Sequence, residues 1–176
     1  MQVTISILML VLLTGCAGPN VRANLNPSTT KPNPRIGIVS DHLLADAIGN
    51  ELVGYGFTVI ERGRLQAVLD ELKLSLSGIL KEGDLRRVGD ILNVDALMFV
   101  SVTTEPDFPS KVGSATIKIV DARTGTLVGG VTYQNGRGGA PGSPADAGMK
   151  ESLPDSAERI AKELAIAFGR AHRGFF

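Results

Sequence analysis

The segment Ala96-Leu97-Met98-Phe99-Val100-Ser101-Val102 holds six apolar residues in seven. A strand with one wet face alternates; an unbroken apolar run this short belongs to a strand covered on both faces. The chain must therefore supply two layers around it. The residues just before it do so. Thr58-Val59-Ile60 is a second, β-branched run. It is followed by Leu65, Val68, Leu69 and Leu72 at i, i+3, i+4 and i+7, the apolar stripe of a helix. Asp84 to Leu92 gives another helix with Leu85, Val88 and Leu92 on one side, and Asn93 is suited to the left-handed conformation that ends it. Phe57 to Val102 thus reads strand, helix, helix, strand.

The same logic extends outward. Arg35 to Ser40 is an apolar strand bounded by Pro34, and Ser40 or Asp41 is expected to cap a helix that runs to about Tyr55. Gly54 and Gly56 end that helix. Two strand-helix-strand units of this length imply parallel neighbours with right-handed crossovers. After Thr103 the period changes to two. Ala115, Ile117 and Ile119 alternate with Thr116, Lys118 and Val120, and Thr126 to Tyr133 returns across the turn Ala122-Arg123-Thr124-Gly125 as a hairpin. A Gly-rich loop from Asn135 to Gly142 follows. Ser143 with Pro144 opens a helical region, Pro154 restarts it, and Ala157, Ile160, Ala161, Leu164, Ala165 and Phe168 form its apolar stripe. The expected fold is α/β: a mixed sheet of about five strands, parallel β-α-β-α-α-β and then an antiparallel hairpin, packed with about four helices and occupying residues 35–176.

The first 34 residues are expected to lie outside that fold. Ile5 to Leu13 is too short to span a bilayer, which takes about 20 residues, and fits the apolar region of a signal peptide covering 1–15. Met1 to Thr4 carries no Lys or Arg, a departure from the usual basic start. Leu13-Thr14-Gly15-Cys16 has the form of a lipobox, in which small residues admit the peptidase and the thiol takes a thioether-linked lipid. Cys16 is the only cysteine, so an internal disulfide is excluded. An incidental thiol behind a plain signal peptide is the alternative. Ala17, in place of an Asp, favours the outer membrane by resemblance to other lipoproteins. Pro19, Pro27, Pro32 and Pro34, with Asn, Ser and Thr between them, read as a flexible tether over 16–34 with a span of roughly 20–25 Å.

Composition removes several functions. Formal net charge is zero and no basic face is visible, which argues against nucleic acid as a partner. Tryptophan is absent and aromatics are few, so stacking platforms are poorly supplied. The Gly136–Gly142 loop sits where phosphate loops occur but lacks Gly-Lys-Ser/Thr, and its spacing does not fit G-x-G-x-x-G. A mobile surface loop is the better reading. His42 and His172 are the only histidines, and neither has metal-ligand spacing with another His or Cys. Asp70-Glu71 and the Glu82/Asp84 pair read as solvated helix faces. Ser40, Ser101 and Ser114 lack a nucleophile elbow. The residues suggest no catalytic group, no cofactor and no metal.

Val59-Ile60-Glu61-Arg62 running into a helix that closes on Glu71, Ser77-Gly78 beyond it, then Gly89, Asp95-Ala96 and the apolar strand, resembles the CsgG family of curli-assembly lipoproteins. Ile117 to Gly130 resembles that family's next hairpin. The resemblance implies an outer-membrane lipoprotein facing the periplasm. It implies contact with the bilayer through acylated Cys16, with envelope proteins, and with further copies of itself. Glu61, Arg62 and Glu71 become candidate motif or interaction residues, Glu61-Arg62 chiefly as a local ion pair or helix cap. CsgG inserts two membrane hairpins in this domain. A hairpin of spanning strands needs about 20–25 residues, and the two available sites, Thr104 to Val112 and Asn135 to Ser143, are far shorter. The expectation is the soluble domain without the pore: a non-catalytic binding or scaffolding role in envelope assembly or export. An LpoB-like activator of a peptidoglycan synthase is the alternative; a nucleotide- or metabolite-binding enzyme using the Gly-rich loop is a third reading.

Overall fold

The computed structural model describes residues 16–26, 31, 33–60, 62–72, 82–106, 108 and 110–173. The expected signal peptide and Glu61 lie outside them. In chain order, β1 is Cys16–Ala17, β2 Asn20–Leu25 and β3 Arg35–Val39. Helix α1, Leu43–Gly54, leads to β4, Thr58–Ile60. Helices α2, Arg62–Glu71, and α3, Glu82–Leu92, precede β5, Ala96–Thr104. Strands β6, Val112–Asp121, and β7, Leu127–Gln134, form the hairpin. The short β8, Arg137–Gly138, is followed by α4, Pro144–Met149, and α5, Leu153–Arg173.

Six strands form one sheet in the order β2-β7-β6-β5-β3-β4. β3 runs parallel to both β4 and β5, and every other neighbour in this sheet is antiparallel. The parallel unit, the hairpin and the mixed sheet stand as the sequence implied. One face is covered along the sheet by α1 and α5: Ile48 and Leu52 with Ile160, Leu164 and Phe168 bury Ile36, Met98, Ile117 and Val131. Phe57 and Phe168 meet at 5.4 Å between ring centroids, tilted by 57°. On the other face, among the described residues, helical cover lies over the parallel half, where Leu65, Leu69, Val88 and Leu92 of α2 and α3 meet Val39, Leu97 and Ala122. Asn93, at φ 50°, ends α3 as its side chain suggests.

Two expectations need correction. The segment read as tether contains β2, which pairs with β7 from Asn20↔Gln134 to Leu25↔Gly129. Within the prolines lies a six-residue alternation. Val21, Ala23 and Leu25 pack toward the core that α5 shares, and Asn20, Arg22 and Asn24 face solvent. Gly129 makes the approach possible: at φ 154°, a Cβ there would stand 2.1 Å from the Asn24 carbonyl oxygen. The sheet thus has six strands, and five helices stand among the described residues. The cap of α1 is the second correction. His42 occupies it, its Nδ1 accepting the Leu44 N–H at 3.0 Å. Ser40, buried, donates instead to the Val100 carbonyl at 3.1 Å and accepts the His42 N–H at 3.3 Å, tying β3 to β5.

Candidate functional site

The richest polar constellation lies at the end of the sheet where β5 stops and β6 starts. Glu105 and Lys111 bracket a tight turn closed by Glu105 N–H to Lys111 O, 3.1 Å, and Lys111 N–H to Phe108 O, 2.8 Å. At the same pole β7 ends at Gln134, and the chain passes through β8 into α4. The Lys150 ammonium joins the two regions, donating to Glu105 Oε2 at 2.7 Å and lying 2.8 Å from Asp146 Oδ2. Lys111 donates to the carbonyls of Ala147 and Lys150, both at 2.7 Å, where a cation complements the carbonyl end of α4. The Phe108 ring lies 5.4 Å from the Lys150 ammonium and 5.9 Å from that of Lys111, within cation–π range.

Asp146 is 2% exposed. Its carboxylate accepts the Gly138 N–H at 3.2 Å and the Gly142 N–H at 3.1 Å. The Gly-rich loop is therefore wrapped around an anion, and that anion is the protein's own. Lys150 first, then these amides, hold Asp146 down to about 2 against the opposing pull of burial. Lys150 in turn is raised by Asp146 and Glu105. Gly138 has no room for a side chain, since a Cβ would sit 2.1 Å from the Ala145 carbonyl oxygen. The loop expected to be a mobile surface feature is held by this carboxylate, by β8 and by Ser143, which caps α4 by accepting the Asp146 N–H at 3.2 Å.

Asn135 completes the pole. Its amide donates to Val112 O at 2.7 Å and Glu151 O at 3.3 Å; its oxygen accepts the N–H groups of Gly136 and Glu151, both at 2.9 Å. Both donors and both lone pairs are used. Beneath it, the Tyr133 hydroxyl meets Ser156 Oγ at 2.8 Å and Glu151 Oε2 at 3.2 Å, and burial above all pushes that phenol up to about 12. These groups are matched to one another. The arrangement does structural chemistry: it ties the Glu105–Lys111 turn to the Gly-rich loop and α4.

The second feature is a groove of about 550 Å³ on the uncovered face of the sheet, lined by Asn20, Arg22, Ser114, Thr116, Thr132 and Gln134. Its walls are polar and its floor is the antiparallel half. Among the described residues no group of three His, Cys, Asp or Glu side chains is placed to hold a metal. No described helix is long and apolar enough to cross a membrane.

The residues singled out from sequence are dispersed. Cys16 sits in β1, whose partner is β8, Cys16↔Gly138 and Ala17↔Arg137, at the clamped pole. Arg62 starts α2 and Glu71, exposed, ends it, on the layer over the parallel half. Sequence reading passed over Asp146 and Lys150, although their i, i+4 spacing of opposite charges was visible. Glu105 and Lys111 had no such signal, because their partners lie about 40 residues away in sequence.

Residues 17–114 match the family described as curli production assembly/transport component CsgG, more than half of the chain. The chain belongs to the CsgG family. The match begins inside the segment expected to be tether, in keeping with the strand found there. Among solved structures, the PelC dodecamer from Paraburkholderia phytofirmans is similar at 10% identity and a TM-score of 0.46, covering 85% of this chain and 96% of that one. The LpoB C-terminal domain from Salmonella enterica is similar at 12% identity and a TM-score of 0.45, covering 63% and 96%. Lipoprotein GNA1162 from Neisseria meningitidis is similar at 14% identity and a TM-score of 0.41, covering 57% and 76%. No curated protein matches.

Proposed function

We propose that this member of the CsgG family is an outer-membrane lipoprotein whose α/β domain faces the periplasm and binds other envelope proteins in assembly or export, without catalysis. Residues 1–15 act as its signal peptide and Cys16 becomes its acylated first residue. One observation carries the reading: the family match starts at residue 17, directly behind Leu13-Thr14-Gly15-Cys16. Acyl chains bring about 0.8 kcal/mol per buried methylene, and several of them make attachment effectively permanent. The clamp at Glu105, Asp146 and Lys150 supports a domain without membrane hairpins. The outer edge of β2 has no strand partner among the described residues, a surface suited to self-association. Exposed Glu71 is available for partner contacts.

The test is crosslinking mass spectrometry in cells, read with the mass of the N-terminal peptide. The expected result is acylated Cys16, globomycin-sensitive processing and crosslinks to envelope proteins. A soluble product with a free Cys16 thiol would overturn the reading.

A further inference from the structure

The Cys16–Ala17 ribbon is separated from β2 only by Gly18 and Pro19. We infer that the pole built by β1, β8 and the turn Gly139-Ala140-Pro141-Gly142 is a membrane-docking surface, seated in the headgroup layer of the leaflet that holds the Cys16 lipid. The inference rests on the lipoprotein reading above and adds an orientation to it: the domain stands on this pole and does not swing on a tether.

Acylation of Cys16 at sulfur and at the α-amine leaves an amide N–H and a carbonyl, so pairing with Gly138 survives modification. Paired Cα atoms in an antiparallel ribbon lie about 5 Å apart. The polar layer on each side of a bilayer core is about 5–8 Å thick. A lipid fixed on Cys16 therefore places Gly138 inside that layer. Even with the ribbon pulled open, four residues from Cys16 to Asn20 reach at most about 14 Å, well short of a tether's expected span.

The surface chemistry agrees. Gly139, Ala140, Pro141, Gly142, Pro144 and Ala145 are exposed and uncharged. Apart from Arg137 of β8, three charges beneath them are turned toward one another: Asp146 and Lys150 are almost fully buried, with Glu105 on the same ammonium. Dehydration on docking strips no unpaired carboxylate. The turn is also stiff, because Asp146 holds the amides of both Gly138 and Gly142.

The experiment uses the full-length lipidated protein in vesicles of phosphatidylethanolamine and phosphatidylglycerol doped with a nitroxide-headgroup lipid. A fluorophore is placed at Ala140→Cys or, at the opposite pole, at Arg123→Cys; acylation of Cys16 leaves each label the only thiol. Quenching severalfold stronger at 140 than at 123 is expected. Inserting ten Gly/Ser residues between Cys16 and Ala17 adds a span of roughly 17 Å and should bring the two labels to the same low quenching. Equal quenching without the insertion, with Cys16 acylated by mass spectrometry, would overturn the docking surface and leave the lipoprotein reading standing. A free Cys16 thiol would overturn both.

Discussion

Neighbouring strands β5 and β6 belong to one sheet and obey different rules. In β5, consecutive Leu97 and Met98 are both fully buried, one under α2 and α3, the other under α1 and α5. In β6, Ile117 is buried while Thr116 and Lys118 face water. The difference is the second helical layer, which among the described residues lies over the parallel half. Two-sided cover produces the unbroken apolar run; one-sided cover produces alternation. The open half keeps its outward row polar, with Arg22, Thr132, Thr116 and Ser101 in register across four strands. It is the part of the sheet that a partner could reach without displacing a helix.

The comparison can be broken by substitution. Leu97→Ala should destabilise by about 2–5 kcal/mol in urea unfolding, because it opens a cavity in the second layer. Lys150→Met comes next. It should lower the unfolding midpoint measurably but by less, since Asp146 keeps the Gly138 and Gly142 amides when its ammonium partner is gone. Acid sharpens the same point. Asp146 takes up its proton near its ordinary 3.8 when unfolded and at about 2 when folded. Its stabilisation is therefore present above about pH 4 and is lost as pH falls toward 2. Asp95, at the far pole, is also lowered: burial opposes this, but the Arg35 amide and Lys31 outweigh it. Asp146→Asn should flatten part of the acid loss in a pH series of thermal melts, leaving the Asp95 share. Thr116→Ala should move stability by no more than about 0.5 kcal/mol. A cost matching that of Leu97→Ala would show that the open face is covered in the free protein.

The parallel half was the more legible because its signal is continuous: apolar runs for β3 and β5, stripes for α2 and α3. The hairpin was legible from alternation at Ala115, Ile117 and Ile119. Strand β2 was hidden by composition. Asn and Pro on either side of Val21, Ala23 and Leu25 suggested an irregular chain, and pairing with β7 together with one-sided burial against the core of α5 overrode that weak local preference. His42 was hidden in a different way, since its ring does a task usually given to a Ser or Asp oxygen. The clamp was half visible, in Asp146 and Lys150. Its other half, Glu105 and Lys111, depends on contacts that only the folded sheet creates.

Hydrogen exchange of the protein, resolved to the segment Asn20–Leu25, addresses most directly whether the folded sheet begins inside the stretch read as tether. Slow exchange at alternate amides of this segment, comparable with its partner Gly129–Gln134, is the expected result. Exchange across 20–25 as fast as in an unstructured peptide would return the segment to a tether and contradict the account.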